Sequence, residues 1–249
     1  MLELLKMNDE DLLILAGDYV DRGTQTCELL NWLADAPPNV ITLKGNHDAE
    51  FVENVNVMRQ LDKVEELDTD PDSNEDAGIL LDTVTYMLKK RGSEFAAFFD
   101  YYGTISALIK KNKTTFKELC RWADMLVSFP YIYSNRFNGR DCIVVHAGYA
   151  EKMENIGKKY KTIEEFYLYA RADSITNGGI QGGMIVAGHT PTIAKGEFCY
   201  SQGDVYKYYD RNKDCIYYDI DCGCAYYEVD PDATMACLRL EDEEVFYLK

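Results

Sequence analysis

Residues 17–23 read Gly-Asp-Tyr-Val-Asp-Arg-Gly and directly follow an apolar run at residues 12–16. The run has the length and composition of a buried β-strand, and the two glycines favour tight turns. Two acidic side chains and one arginine therefore emerge where a strand ends, which is where α/β sheets place their functional residues. The stretch predicts a strand followed by a loop that carries charged side chains.

Three further apolar runs repeat this design later in the chain. They occupy residues 40–43, 143–145 and 184–187, and each has the length of a buried strand. Each run then breaks into a turn with polar side chains: Gly45-Asn46-His47-Asp48, His146-Ala147-Gly148 and Gly188-His189-Thr190. Side chains that can hold a ligand therefore follow four predicted strands.

All three histidines of the chain lie in these turns. They are His47, His146 and His189, and their shared placement favours a common function over three unrelated structural roles. Imidazole nitrogens suit Mn, Fe and Zn, and Asp18 and Asn46 add oxygen ligands that such ions accept. The sequence therefore predicts a divalent metal site.

The rest of the pattern indicates a mixed α/β fold. Residues 24–34 have helical spacing and complete a strand–helix–strand unit, and the region at about 50–125 also looks mainly helical. Near the end, alternating segments at 215–220 and 236–240 predict antiparallel strands. We therefore expect one domain over residues 1–249, with a mainly helical insertion in its middle.

Composition disfavours several classes of protein. The formal net charge of −17 opposes non-specific nucleic-acid binding, because that binding needs Lys and Arg to neutralise phosphates. No apolar run approaches the ~20 residues that cross a bilayer, and no secretory signal stands at the start. The eight cysteines are distributed as in a protein from a reducing compartment. We expect a cytoplasmic protein with free thiols and no membrane partner; its oligomeric state stays open.

Two weaker patterns favour ordinary structural roles. The acids at residues 68–76 faintly resemble a calcium loop but lack its glycine and glutamate, so a solvated acidic loop is the better interpretation. The spacing of Cys215, Cys222, Cys224 and Cys237 does not match a paired zinc knuckle. We expect these cysteines to be structural.

Residues 17–23 and 45–48 resemble the second and third signature motifs of the phosphoprotein phosphatase family, within the calcineurin-like metallophosphoesterases. Residues 145–148 and 187–191 follow in the family's order, and residues 219–223 and 238–240 are similar to the closing strands of bacterial members. The resemblance spans most of the chain except its middle region. It implies a β-sandwich of two mixed sheets flanked by helices.

The resemblance also implies a metal centre. Asp18 would bridge two divalent ions, while Asn46, His146 and His189 would complete the second ion's site. Manganese is the first expectation for the ion, with iron and zinc as alternatives.

For catalysis, the resemblance implies that His47 protonates the leaving oxygen and that Asp21 orients its imidazole. Arg22 would clamp the phosphate, since a planar guanidinium binds two oxygens at once and stays charged. Arg171 is similar to a second phosphate-binding arginine of bacterial relatives, with an ordinary surface arginine as an equal alternative.

The family's first motif, an Asp-x-His pair, is missing from its usual place some tens of residues before residue 17. Only sixteen residues precede that position, and residues 1–6 resemble the helix that follows the motif. We therefore expect an N-terminally truncated chain with one well-formed metal site, or else a reduced relative with a single metal.

The resemblance implies metal-dependent hydrolysis of phosphate monoesters by an activated water, with phosphoserine or phosphothreonine proteins as the expected substrate and a small phosphoester as another partner. Two alternatives stay open. Symmetrical dinucleoside tetraphosphate hydrolases share these motifs, and the missing first motif leaves room for a catalytically silent metal- or phosphate-binding protein.

Overall fold

The computed structural model describes residues 1–60, 74–91 and 99–249. It divides the chain into two compact units. The first unit contains Met1–Gly17, Pro37–Asn46 and Pro130–Lys249, and the second contains Asp18–Ala36 and His47–Phe129. The second unit thus includes the predicted helical insertion, whereas a single-domain organisation of the whole chain stays a prediction.

The strands of the described residues all lie in the first unit. In chain order they are β1 (Leu13–Leu15), β2 (Val40–Thr42), β3 (Ile132–Phe137), β4 (Arg140–Val145), β5 (Met184–Ala187), β6 (Tyr206–Asp210), β7 (Cys215–Asp219), β8 (Met235–Leu238) and β9 (Val245–Leu248). Five of them form a mixed sheet in the order β3-β4-β5-β7-β6, with parallel neighbours at its centre and antiparallel edges. The parallel pair β1-β2 and the antiparallel pair β8-β9 form two small sheets.

Helices occur in both units. The first unit holds α1 (Leu2–Leu5), α7 (Ile163–Tyr169) and α8 (Asp173–Thr176), and the second is built from α2 (Thr26–Ala34), α3 (Asn46–Arg59), α4 (Asn74–Arg91), α5 (Thr104–Asn112) and α6 (Phe116–Ser128). The helix α3 begins at Asn46, the last residue of a first-unit segment. Among the helices that the described residues form, none has the length and apolarity needed to cross a membrane.

The core of the first unit lies on both faces of the five-stranded sheet. Val145 and Ile185 line one face, which packs against side chains from α7 and α8. Val144 and Val186 line the other face, which packs against side chains from β1, β2 and β8. Burial on both faces explains why β4 and β5 read as unbroken apolar runs in the sequence.

Most elements predicted from the sequence are confirmed. The four apolar runs form β1, β2, β4 and β5, and the helix predicted at residues 24–34 is α2. The two segments predicted to be antiparallel strands form β7 and β8. The strand β8 pairs in antiparallel with β9, as predicted. The strand β7 pairs in antiparallel with β6 but in parallel with β5. Residues 68–73 of the acidic segment lie outside the described residues, and residues 74–76 begin α4.

All eight cysteines are free, as predicted. Burial raises the pKa of the Cys142 thiol to about 12. Burial, together with the nearby acids Asp221 and Asp219, also raises the pKa of Cys222 to about 12. Because metal ligation requires the thiolate, these two side chains behave as apolar core residues.

The helix α6 starts with a capping box. The side chain of Thr115 accepts a hydrogen bond from the backbone N–H of Glu118, and the Glu118 carboxylate accepts one from the N–H of Thr115 at 2.9 Å. The helix then buries Leu119, Trp122 and Leu126. The cap satisfies two N–H groups that would otherwise lack an intrahelical partner.

We expect Thr115→Ala to lower the free energy of unfolding by about 1 kcal/mol, the usual loss when an N-cap oxygen is removed. Urea unfolding followed by circular dichroism measures the change. Thr115→Ser is the matched control, because it keeps the hydroxyl oxygen and should stay close to wild type. An unchanged midpoint for Thr115→Ala would show that this cap does not stabilise the helix.

Candidate functional site

In the first unit, a backbone contact fixes the orientation of His146. Its Nδ1 atom lies 2.8 Å from the carbonyl oxygen of Ala16. A carbonyl oxygen only accepts, so Nδ1 carries the hydrogen. A neutral imidazole has a single N–H, and Nε2 of His146 therefore presents a lone pair. The contact selects the tautomer that can bind a metal ion through Nε2.

Two other predicted ligands lie beside this lone pair. Nε2 of His146 is 3.0 Å from Oδ1 of Asn46 and 3.2 Å from Nδ1 of His189. Oδ1 of Asn46 and the unprotonated Nε2 of His146 both offer electron pairs, so a cation bound by both atoms would relieve the repulsion between them. Neighbouring ligands at right angles around an ion with bonds of ~2.1 Å lie about 3 Å apart. The donors in the first unit therefore fit a divalent ion.

The glycine at position 17 lets two backbone segments of the first unit approach closely. Gly17 has a φ of +100°, and a Cβ atom there would lie 2.6 Å from the nitrogen of Gly45 and 3.0 Å from Nδ1 of His146. No side chain fits at that distance, so the prediction of a turn glycine at this position is confirmed. The close approach holds the ends of β1 and β2 next to the His146 ring.

In the second unit, three predicted residues form a connected network. Nδ1 of His47 lies 2.6 Å from Oδ2 of Asp21, and the Arg22 guanidinium donates to Nε2 of the same ring. The hydroxyl of Thr104 donates to the other carboxylate oxygen of Asp21. The side chains of His47 and Asp21 are only 7% and 9% exposed. The imidazole is thus held by a carboxylate on one side and faces a guanidinium on the other.

Asp48 holds the loop that carries these residues. Its buried carboxylate accepts hydrogen bonds from the backbone N–H groups of Asp18 and Tyr19, each at 2.9 Å. Asp18 in turn accepts from the N–H of His47 at 3.1 Å. Asp48 stands in the quoted motif beside His47, yet its role was not predicted. Thr104 gave no local signal, because it is 83 residues from Asp21.

Four of the predicted site residues have a left-handed backbone, with φ values of 62°, 71°, 62° and 73° for Asp18, Asp21, Arg22 and His189. This conformation is uncommon for residues other than glycine, and such strain concentrates at functional sites. The strained positions coincide with residues that the sequence singled out for their chemistry.

The environment of His47 favours its protonated form. Burial lowers the pKa of this imidazole, but the hydrogen bond to Asp21 and the charge of Asp18 outweigh burial, and the net effect raises the pKa. The charge of Arg22 acts in the opposite direction. A raised pKa leaves more of the imidazole protonated at a given pH, which suits the role of a general acid.

A second possible cation group lies in the second unit. Asp21, His47 and Glu50 each offer a ligand atom, and these atoms lie within 4.8 Å of one another. Both ring nitrogens of His47 already contact other side chains there, namely Asp21 and Arg22. Proton transfer is therefore the better use of this ring than metal binding.

The structure distributes the predicted site residues over both units. The first unit brings together Asn46, His146 and His189, and the second brings together Asp18, Asp21, Arg22 and His47. Consecutive residues join the two groups, because Asp18 follows Gly17 and His47 follows Asn46. That Asp18 shares an ion with the two histidines stays a prediction.

Arg171 lies in the first unit, before α8, and its side chain is exposed. The pKa of buried Asp219 is raised, mainly by burial, and the charge of Arg171 partly opposes that rise. A contact between Arg171 and a phosphate stays a prediction.

Comparison with known proteins points to one family. A family model described as calcineurin-like phosphoesterase matches residues 1–213. The chain is 38% identical over 65 residues to a symmetrical bis(5'-nucleosyl)-tetraphosphatase of Stutzerimonas stutzeri, a match that spans 25% of this chain and 24% of the relative. The crystal structure of a candidate diadenosine tetraphosphatase is similar in fold, with a TM-score of 0.51 and 14% identity over 99% of this chain and 84% of that one.

Proposed function

The chain belongs to the calcineurin-like phosphoesterase family and is a hydrolase, and we propose that it cleaves phosphate esters in a metal-dependent reaction centred on His47 and Arg22. The observation that carries the proposal is the network in which His47 contacts Asp21 through one ring nitrogen and Arg22 through the other. It combines a proton donor with a cation that binds phosphate.

Arg22 supplies the recognition of phosphate. Its guanidinium is planar and permanently charged, so it can donate to two phosphate oxygens at once. A local cation is necessary here, since the net charge of −17 opposes the approach of a phosphoester. The contact of Arg22 with His47 sets the position at which a bound phosphoryl group meets the imidazole.

His47 supplies the proton for the leaving group. Asp21 accepts the Nδ1–H and stabilises the imidazolium. Nε2 accepts a hydrogen bond from Arg22 in this structure, so it takes up the proton to be transferred when Arg22 turns to donate to the phosphate. Transfer of this proton to the leaving oxygen neutralises the charge that develops as the P–O bond breaks. Thr104 and Asp48 keep Asp21 and the loop in place.

Asn46, His146 and His189 would hold a divalent ion, and the proposal assigns Asp18 to the same ion. When bound, the ion supplies positive charge to the phosphoryl oxygens and lowers the pKa of a coordinated water. Manganese is the proposed metal, with iron and zinc as alternatives.

Two substrate classes remain in the proposal. The 38% identity over 65 residues to a symmetrical tetraphosphatase favours a dinucleoside tetraphosphate, in which the bond cleaved is a phosphoanhydride. Phosphoserine or phosphothreonine in a protein is the other class, and it rests on the resemblance of residues 17–23 and 45–48 to protein phosphatase motifs. We place the dinucleotide first.

The test measures turnover by the Mn-loaded chain with three compounds: p-nitrophenyl phosphate, diadenosine tetraphosphate and a phosphoserine peptide. We expect release of nitrophenol from the first and of ADP from the second, since cleavage of the tetraphosphate is symmetrical. EDTA should reduce both rates to background, and added Mn²⁺ should restore them. Faster release of phosphate from the peptide than of ADP would reverse the order of substrates.

Two results would contradict the proposal. Turnover that survives EDTA and dialysis would exclude a dependence on metal. A folded chain that binds Mn²⁺ but cleaves none of the three compounds would instead support the catalytically silent protein.

A further inference from the structure

Two tyrosines lie next to the phosphate-binding network of the second unit. The ring centroid of Tyr102 is 4.9 Å from that of His47, with the planes inclined at 66°. The guanidinium carbon of Arg22 lies 5.4 Å from the centroid of the Tyr102 ring. Tyr102 therefore contacts both side chains that the proposed function uses.

Both tyrosines are exposed despite their size. Tyr101 is 75% exposed and Tyr102 is 45% exposed. Their rings are perpendicular, with centroids 5.0 Å apart and an interplanar angle of 88°. The pair thus offers aromatic surface to solvent beside Arg22.

The segment that carries the rings is anchored to α5. The carboxylate of Asp100 accepts hydrogen bonds from the backbone N–H groups of Ile105 and Ser106, each at 2.8 Å. On the other side of the tyrosines, Thr104 donates to Asp21. The two rings are therefore held in place relative to the Asp21–His47–Arg22 network.

We propose that Tyr101 and Tyr102 form an aromatic platform that stacks against the nucleobase of a substrate whose phosphate is bound by Arg22. The proposal rests on the proposed function and narrows it to nucleoside polyphosphates. Bases of every type stack on exposed aromatic rings, and this binding does not depend on charge. Stacking thus adds affinity that the acidic surface of the protein cannot supply. A phosphoserine side chain has no ring to place there.

The two tyrosines have different roles in the proposed platform. Tyr101 stacks on the base, because its ring is the more exposed one. Tyr102 supports Tyr101 and also positions Arg22 and His47, with which its ring is in contact. Loss of Tyr101 should therefore affect only ligands that carry a base, whereas loss of Tyr102 should affect every phosphate ligand.

Calorimetric titration of the Mn-loaded chain with ADP and with inorganic pyrophosphate tests the platform, and it does not require turnover. We expect ADP to bind more tightly than pyrophosphate. Tyr101→Ala should weaken ADP binding about tenfold, in the range that loss of one stacked base costs, and leave pyrophosphate binding unchanged. Tyr101→Trp should retain the affinity for ADP, and Tyr102→Ala should weaken both ligands.

Tyr227→Ala is the control, since this tyrosine is 63% exposed and belongs to the first unit. Equal affinities of the wild-type chain for ADP and pyrophosphate would overturn the platform, as would an equal loss for both ligands in Tyr101→Ala. Selective binding of ADP without hydrolysis of any phosphoester would sustain the platform and reject the proposed function.

Discussion

Replacement of His47 by asparagine should lower kcat for diadenosine tetraphosphate by about 10²- to 10⁴-fold, the contribution typical of a general acid. Asparagine can still accept a hydrogen bond from Arg22, but it cannot deliver a proton at neutral pH. The leaving group would then depart with its full negative charge. Because this loss concerns the chemical step, kcat should fall far more than KM rises. Steady-state kinetics with the Mn-loaded variant measure both parameters.

Glu53→Gln is the matched control for this variant. Glu53 lies on the same helix, α3, but its side chain is exposed and has no assigned role. Its activity and its unfolding midpoint should stay at the wild-type level. Retention of activity by a folded His47→Asn protein, within a few-fold of wild type, would remove His47 from the proton-transfer step.

The strands of the first unit could be predicted because their environment is simple. Residues of β4 and β5 are buried on both faces of the sheet. Apolar side chains are therefore favoured at successive positions, whichever face they point to, and the sequence shows an unbroken apolar run. Which strands pair with one another was harder to predict. The pairing of β7 with β5 in parallel and with β6 in antiparallel depends on contacts between distant segments, which the alternating pattern of one strand does not encode.

The site shows the same division between local and distant information. His47, Asp21 and Arg22 carry chemistry in short motifs that follow predicted strands, so their types and positions could be read from the sequence. The residues that orient them belong to other parts of the chain. Thr104 contacts Asp21 across 83 positions, and a carbonyl 130 positions away fixes the His146 ring. No periodicity or motif spacing marks such contacts in advance.

His146→Ala should lower the affinity of the chain for Mn²⁺ by at least about 100-fold. Loss of a group that merely orients a ligand already costs about 10- to 100-fold in metal affinity, and this substitution removes a donor atom itself. Nε2 of His146 lies 3.0 Å from Oδ1 of Asn46 and 3.2 Å from Nδ1 of His189, so its loss leaves two donors without the third. His189→Ala should have an effect of similar size. Calorimetry measures the affinities.

Tyr167→Phe is the control for the histidine variants. Its ring packs against the same sheet face as Val145, and the substitution removes a hydroxyl but no proposed ligand atom.

Comparing His47→Asn with His146→Ala shows which unit binds the ion, because the ring that His47→Asn removes belongs to the second possible cation group, with Asp21 and Glu50. If the ion is bound in the first unit, His47→Asn keeps Mn²⁺ affinity within a few-fold while kcat falls by about 10²- to 10⁴-fold, and His146→Ala lowers both the affinity and kcat. If only His47→Asn loses affinity for Mn²⁺, the ion is bound in the second unit and His47 is a metal ligand rather than a proton donor.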